Sequence, residues 1–434
     1  MQRLCLKGWA VALAWAGMAM QPALARGYEE AAAKPAAPSA AAPDQGSFSA
    51  TEIHEFLDRA HRAEAIADPL QRCIAYPDPP GSHWSPAATR AYCTYHMQTL
   101  MSYEEIKGLI ESGKAAQLDA YLSDAAKKQL TQPGSAGLLD HIYISYFSDA
   151  SAETHALVES WKRQRPKSAF ALAASGRYAL VMGWRARGSD YASETPQENF
   201  QGMDKWFKLA RKDLEQAVAL DPRVIPAYSA MINLAKAHVD REYERAAARK
   251  GLAVDAASYA IYGQLVAMAE PRWGGSLGEM QRIAGEAQAH AKDNGLLKLL
   301  LPLADAYEAK LIDCDCADPA AYRRILDQMP SGELLSGAAN AVDSANKADL
   351  AVVYQSEVIR FYPWADTVKA KRMRHLITFG EKAWSKSDAD ALSANPDLDR
   401  RSLEAMNNVY MTVGDFEAVK KTFARLDELH ARGE

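Results

Sequence analysis

A pattern of small and apolar residues occurs twice in this chain at a constant offset of 34 positions. The first copy consists of residues 219–222, 227–228, 231–232 and 235, and the second of residues 253–256, 261–262, 265–266 and 269. An offset of about 34 residues is the period of a helix–turn–helix repeat. Because one such hairpin cannot bury its apolar face alone, each copy has to stack on neighbouring hairpins. The chain is therefore predicted to be a stack of helical hairpins.

The predicted fold class is all-α: a right-handed α-α superhelix, or tetratricopeptide-like solenoid, with an N-terminal helical region in front of it. Ser49 and Ser102 are each followed three positions later by Glu, which is the spacing of a capping box at a helix start. The leucine-rich segment 296–311 is predicted to be a single helix. No stretch shows the alternation of Val, Ile and Thr that is typical of a β-strand.

Charge argues against two classes of partner. The formal net charge is −5 over 434 residues. Without Arg3 and Lys7, the charged residues of segment 1–25, it becomes −5 − 2 = −7. A mildly acidic chain without basic runs is not expected to bind nucleic acid or an anionic membrane surface.

The N-terminus has the pattern of a cleavable signal peptide. Arg3 and Lys7 precede an apolar run over residues 8–20, and Ala23-Leu24-Ala25 supplies small residues for cleavage after Ala25. The run is shorter than the ~20 residues of a membrane-spanning helix, so no span is expected after the signal peptide is removed. The mature protein is predicted to be periplasmic or secreted.

Composition and helix patterns divide the chain into five parts. We predict a signal peptide over residues 1–25 and a disordered Ala/Pro-rich linker over 26–48. An N-terminal helical region follows over 49–132, then a tetratricopeptide-like domain over 133–312. Further helical hairpins make up residues 313–434.

Four cysteines are left in the predicted mature chain: Cys73, Cys93, Cys314 and Cys316. An even number in an exported protein suggests disulfides, and four cysteines allow three pairings. A Cys73–Cys93 bridge would close a Pro-rich loop, so we favour that pair and pair Cys314 with Cys316. The latter two cysteines alternate with Asp313 and Asp315 and are also candidate metal ligands. A structural zinc site needs further ligands, so a disulfide is favoured and no metal site is predicted.

Two short motifs resemble a known family. They are Trp184-Arg185-Ala186-Arg187-Gly188-Ser189 and Pro271-Arg272-Trp273-Gly274-Gly275-Ser276. The chain resembles the exported bacterial proteins grouped under domain of unknown function 4034 over residues 140–300, and the Pro-rich segment between Cys73 and Cys93 is similar as well. The resemblance implies export and a helical repeat-like fold, and it implies neither an activity nor catalytic residues.

The same motifs contain the candidate binding residues Trp184, Arg185, Arg187 and Trp273. An indole beside two guanidinium groups suits a carboxylate, a phosphate or a sugar. The structural alternative is a helix C-terminus in which the arginines complement the helix dipole. Trp273 has its own alternative, in which it fills a gap between hairpins. Both interpretations stay open for both motifs.

Motifs of catalysis are absent from the sequence. It contains neither His-Glu-x-x-His nor Gly-x-Ser-x-Gly, and no Lys-Ser/Thr follows the glycines after Trp273. No catalytic residue and no cofactor are predicted. We expect a non-catalytic scaffold that binds a protein partner in the cell envelope, with an undetermined oligomeric state. The alternatives are an enzyme acting on cell-envelope polymer or a glycan-binding protein, with a site near Trp184, Arg187 and Trp273, and an inhibitor or immunity protein for a secreted enzyme.

Overall fold

The described residues of the computed structural model are 47–190, 192–307 and 319–432. They belong to one contact unit, Gln45–Glu434. The predicted signal peptide, the linker up to residue 46, and Cys314 and Cys316 lie outside the described residues.

Helices account for all the regular structure among these residues, and no strand is found in them. No described helix is both long enough and apolar enough to cross a membrane. We number the α-helices in chain order as follows: α1 Ala50–Glu64, α2 Pro69–Ala75, α3 Pro86–His96, α4 Tyr103–Glu111, α5 Ala115–Thr131, α6 Leu138–Tyr146, α7 Ala152–Gln164, α8 Ala169–Arg187, α9 Gln197–Leu220, α10 Ile225–Ala235, α11 Arg241–Val254, α12 Tyr259–Met268, α13 Leu277–Ala287, α14 Pro319–Ile325, α15 Gly332–Ser344, α16 Ala348–Phe361, α17 Asp366–Thr378, α18 Lys382–Ser393, α19 Arg400–Val413 and α20 Phe416–Arg432.

The 34-residue repeat is visible in the helix boundaries. Helix α9 ends at Leu220 and α10 begins at Ile225, while α11 ends at Val254 and α12 begins at Tyr259, so both boundaries recur after 34 residues. The residue after each first helix, Asp221 or Asp255, leaves the helical conformation while its N–H still donates to a carbonyl of the last turn. The prediction of an all-α helical-repeat fold is confirmed.

The same turn occurs twice more in the described chain, at places where the sequence offset is not 34. Helices α7 and α8 are joined by residues 165–168, and α16 and α17 by residues 362–365. In three of the four turns the second position is proline: Pro166, Pro222 and Pro363. Proline suits this position because it cannot continue the preceding helix. These additional hairpins were not predicted as repeats, because their turns do not lie 34 residues from either repeat copy.

Helix α8 lies against α9 at unusually short range. A Cβ atom at Gly176 would lie 2.5 Å from Leu214 Cγ, and one at Gly183 would lie 2.2 Å from Phe207 Cε1. Only glycine permits this approach, because every other residue carries a Cβ. Twelve of the 19 residues of α8 are buried, and the helix belongs to the largest hydrophobic core of the described chain.

Helices from the two ends of the unit share a second core. The Phe48 N–H donates to Asp349 Oδ2 over 2.8 Å, and the Trp84 indole N–H donates to the Leu326 carbonyl over 2.8 Å. A Cys73–Cys93 disulfide joins α2 to α3 with a Cα–Cα distance of 5.7 Å. These contacts hold α3 in place as one wall of the cleft that is described below.

The prediction of one helix over residues 296–311 is wrong in its described part. The chain forms a 3₁₀ helix at Gly295–Leu303 that contains Pro302. Leu296 and Leu299 belong to the core shared by the two ends, whereas Leu297 and Leu300 belong to a separate core around α12 and α13. Because a 3₁₀ helix has three residues per turn, residues i and i+3 align, and one short segment can fill both cores.

Candidate ligand-binding cleft

A cleft of about 980 Å³ lies between helices from both halves of the unit. Its walls come mainly from α3, α6, α8, α12 and α15 and from the turn that follows α16. This volume lies within the range of about 300–1,000 Å³ that is typical of small-molecule sites. Aromatic side chains predominate in one part of the wall, and opposite charges from α6 and α8 face the cleft in another.

Asp140 of α6 is the acidic group of interest in this wall. The residue is 4% exposed, and its Oδ2 accepts a hydrogen bond from Gln129 Nε2 over 3.0 Å. Its Oδ1 has no hydrogen-bond partner among the described residues. Burial raises the pKa of Asp140 to about 7, and the nearby Asp255 carboxylate adds to the increase. A carboxyl group with this pKa changes its charge near neutral pH.

Arg177 of α8 is the basic group of the same cleft. Its Nε donates to Ser148 Oγ over 2.7 Å, which leaves the two terminal nitrogens without a partner in the described chain. Burial lowers the pKa of Arg177, although Asp140 and Tyr95 act in the opposite direction. The guanidinium stays charged, because even a lowered arginine pKa is far above neutrality.

An aromatic cluster forms the wall beside these charges. The His96 ring lies 4.4 Å from the Tyr92 ring and 4.5 Å from the Tyr362 ring, and His141 stacks on Tyr95 at 4.5 Å. Neither ring nitrogen of His96 has a partner in the described chain. Burial, with a smaller contribution from His141, lowers the pKa of His96 to about 3, so this ring is neutral at pH 7.

Two large apolar side chains of the cleft are open to solvent. Ile144 is 49% exposed and Trp364 is 59% exposed, and both belong to the cleft wall. The ring of Trp364 lies edge-on to Tyr362 at 6.0 Å. The cleft therefore offers apolar surface at its rim and charged groups farther inside.

The residues predicted as a binding site lie elsewhere, and none of the four lines the cleft. The Trp184 and Trp273 rings meet at 5.7 Å, and the Trp184 indole N–H donates to Asn233 Oδ1 over 2.8 Å. Arg185 donates to the Ala150 carbonyl, and Arg187 donates to backbone carbonyls of the turn after α8. The structure thus brings the two indoles together and directs both arginines toward backbone groups.

Metal binding has no geometric basis in the described residues, because no group of three His, Cys, Asp or Glu side chains is arranged to hold an ion. Of the four cysteines, Cys73 and Cys93 are bridged as described above, and the other two are outside the described residues.

Asp140, Arg177 and His96 were not predicted from the sequence. One pattern could have indicated Arg177: it is the single charged residue in an otherwise apolar or small stretch, residues 169–183. Asp140 is likewise the single acidic residue of α6, whose other residues are mostly apolar or aromatic. A lone charge within a buried helical stretch is costly and therefore points to a partner or a site.

Comparison with known proteins adds one finding. Residues 102–243 match the model of the family called domain of unknown function (DUF4034). The match begins earlier than the predicted range of 140–300 and ends before Trp273. It includes Asp140 and Arg177 but not α3 or α12. No curated protein matches the chain. The part of the chain from α4 to the start of α11 is therefore similar to the family called domain of unknown function (DUF4034).

Proposed function

We propose that this protein is a non-catalytic binding protein that holds a small molecule in the cleft. The observation that carries the proposal is the presence of buried polar atoms without a partner in the described chain, namely Asp140 Oδ1 and both ring nitrogens of His96. An unpaired buried polar group costs about 1–3 kcal/mol. A ligand that pairs with these atoms explains why the fold tolerates this cost.

The architecture around the cleft supports binding by a prearranged site. Arg177 is carried by α8, which is locked against α9 by the glycine contacts at Gly176 and Gly183. Tyr92 is held by two hydrogen bonds, to the Tyr362 hydroxyl over 2.9 Å and from the Gly332 N–H over 2.8 Å. Side chains fixed in this way lose little entropy when a ligand binds, which favours affinity.

The test uses a variant that fills the cleft. Gly337 of α15 lines the cleft, and a Cβ atom there has no neighbour within 4 Å. Gly337→Phe should therefore fold normally and occupy ligand space. Gly285→Phe is the matched control, because Gly285 is also helical with open space around its Cβ and lies outside the cleft.

The measurement is equilibrium dialysis of each purified protein against an extract of its own cell envelope, followed by mass spectrometry of the molecules released on denaturation. Wild type and Gly285→Phe should retain a common small molecule that Gly337→Phe loses. Retention of the same molecules by all three proteins, or by none, would contradict the proposed function.

We also propose that the protein works in the periplasm or outside the cell, as the predicted signal peptide indicates. Fusion of the first 48 residues to a reporter that needs export for activity tests this. Activity that persists after Arg3 and Lys7 are both replaced by Glu would argue against it, because the positive charges are essential to a signal peptide.

A protein partner in the cell envelope is a second proposal, and the C-terminal hairpin favours it. Met411, Phe416 and Phe423 are 55%, 67% and 49% exposed. Phe416 and Phe423 are seven residues apart on α20 and therefore share one face. Large apolar side chains that share an exposed face favour contact with a partner. Cross-linking in cells should capture a defined partner that the Phe416→Ser, Phe423→Ser double variant loses.

The alternative of an enzyme or glycan-binding protein near Trp184, Arg187 and Trp273 also has a direct test. Trp184→Ala and Trp273→Ala should each reduce binding or turnover of soluble cell-wall fragments if that alternative is correct. Unchanged binding would instead favour the cleft. The inhibitor or immunity alternative predicts that a secreted enzyme is among the cross-linked partners.

A further inference from the structure

The Arg177 guanidinium is a half-buried cation that forms no ion pair with a described residue. Its terminal nitrogens form a planar fork that matches a carboxylate through two parallel hydrogen bonds. The hydrogen bond to Ser148 occupies Nε and fixes the orientation of this fork. The cleft therefore contains a ready position for an anionic group.

Asp140 lies close enough to interact electrostatically with Arg177, yet the two groups form no ion pair. Gln129 occupies Oδ2 of Asp140, and Oδ1 is without a partner. Opposite charges of the same cleft are thus held apart on α6 and α8. A ligand that carries both a cation and an anion can satisfy each of them.

Other charged groups do not supply this pairing. Glu270 of the cleft accepts from Arg272 Nε over 2.6 Å. Asp255 faces Asp140 with a like charge and accepts from the same Gln129 amide over 3.4 Å. The excess of carboxylates around Asp140 attracts a cation to this place.

Aromatic side chains next to the charges supply surface for an apolar part of the ligand. Tyr95, Tyr259 and Tyr362 line the cleft, and the exposed Ile144 and Trp364 extend this surface to its rim. Aromatic walls beside a charged end suit a ligand with one polar end and one apolar or aromatic end.

We propose that the ligand is a zwitterion of the α-amino acid type, a free amino acid or a short peptide, whose carboxylate binds Arg177 and whose ammonium group binds Asp140. This inference rests on the proposed binding function of the cleft. The ligand's side chain lies against the tyrosines. The volume of about 980 Å³ leaves room for a peptide as well as a single amino acid.

Calorimetry with matched ligands tests the two contacts separately. L-Phenylalanine carries both charges, phenylalaninamide lacks the carboxylate, and N-acetylphenylalanine lacks the ammonium group. Wild type should bind phenylalanine or the dipeptide Phe-Phe, and it should bind each one-charge derivative weaker by about tenfold or more. The comparison of phenylalanine with Phe-Phe distinguishes a free amino acid from a peptide.

Variants assign each contact to its residue. Arg177→Met should bind phenylalanine and its amide equally while still disfavouring the N-acetyl derivative. Asp140→Asn should show the converse preference. Arg163→Met is the control, because Arg163 on α7 is exposed and does not line the cleft. If both cleft variants lose the same affinity for all three ligands, the assignment of the carboxylate to Arg177 and of the ammonium group to Asp140 is wrong.

The pH profile gives an independent readout of Asp140. The ammonium group of the ligand requires the ionised carboxylate of Asp140, whose pKa is about 7. The affinity of wild type for phenylalanine should therefore rise by about tenfold from pH 6 to pH 8. Asp255, Arg177 and Tyr95 also interact electrostatically with this group, and His141 follows it in α6. The profile of Asp140→Asn reports the contribution of these groups. A profile that is equally steep in Asp140→Asn would contradict the role of Asp140.

Failure of this inference and failure of the proposed function give different results. If none of the twenty amino acids and no Phe-Phe binds wild type, the zwitterion inference is wrong. The cleft-filling variant Gly337→Phe then still decides whether the cleft holds a ligand of another class.

Discussion

Arg372 of α17 is a fully buried cation, and its replacement by methionine should strongly destabilise the protein. Its Nη1 donates to Glu64 Oε1 over 2.6 Å, and its Nη2 donates to Asp388 Oδ2 over 2.7 Å. The guanidinium also lies 4.6 Å from the centre of the Trp384 ring. Arg372 thus joins the first helix of the described chain to α17 and α18, far apart in sequence.

The expected loss of stability follows from the two carboxylates that Arg372→Met leaves in the core. Methionine replaces much of the apolar stem but leaves the Glu64 and Asp388 carboxylates without their cation. Removing one partner of a buried ion pair costs about 3–5 kcal/mol in free energy of unfolding, because the remaining charge is uncompensated. The Tyr76 hydroxyl and the Trp384 indole N–H still donate to Glu64, which limits the loss to this range.

The loss should depend on pH in a defined direction. Burial raises the pKa of Glu64, but in wild type Arg372 and the hydrogen bonds outweigh burial and lower it. Wild type therefore has this stabilisation above the unfolded pKa of Glu and loses it as the pH falls through the folded pKa. Without Arg372 the folded pKa of Glu64 rises above its unfolded value, and the pKa of Asp388, which burial already raises in wild type, rises further. Protonation then removes the uncompensated charge of these carboxylates in the variant. The difference in free energy of unfolding between wild type and variant therefore shrinks as the pH falls from 7 to about 4.

Urea unfolding followed by circular dichroism measures the effect. Arg374→Met is the matched control: Arg374 lies on the same helix, its side chain is 52% exposed, and its 3.3 Å pairing with Asp343 should contribute less than about 1 kcal/mol. The triple variant Arg372→Met, Glu64→Gln, Asp388→Asn should recover part of the loss by removing the orphaned charges. A loss in Arg372→Met no larger than in the control, or a loss that grows toward acid pH, would refute this reasoning.

Two further stability predictions use the same assay. Replacing Cys73 and Cys93 by alanine should lower the free energy of unfolding by about 3 kcal/mol, because a bridge with a sequence separation of 20 residues restricts the unfolded chain. An unchanged melting temperature of wild type in reductant would contradict this prediction. Gly183→Ala should cost about 1–3 kcal/mol because the new Cβ would overlap the buried Phe207 ring. Gly285→Ala, at an exposed helical position with open space, should instead stabilise by up to about 1 kcal/mol, and similar effects at both glycines would contradict the packing argument.

Local features of the fold could be predicted from the sequence because their causes are local. Ser49 and Ser102 cap α1 and α4 with the expected reciprocal bonds to Glu52 and Glu105, which lie three residues away. The 34-residue offset correctly places the turns between α9 and α10 and between α11 and α12. Helix hydrogen bonds and caps connect residues at most four positions apart, so a linear pattern contains them.

One start pattern shows where such local reasoning ends. Thr195-Pro196-Gln197-Glu198 has the pattern of a helix start with Thr195 as the cap and Pro196 as the first helical residue. In the structure α9 begins at Gln197 with Pro196 at the cap position. The Thr195 hydroxyl instead donates to the Asp190 carbonyl over 3.3 Å. The local start pattern therefore places this helix start one residue too early.

The candidate site was decided by tertiary structure alone. Asp140 and Arg177 are 37 positions apart, and the Tyr92 and Tyr362 hydroxyls, 270 positions apart, lie within 2.9 Å of each other. These groups meet because helices from the two ends of the unit pack into one core and bring α3 beside the repeat hairpins. The 3₁₀ helix at Gly295–Leu303 has the same origin, since it fills two cores at once. Periodicity records which face of a helix is buried, but the partner that covers this face is set by the free energy of packing the whole chain.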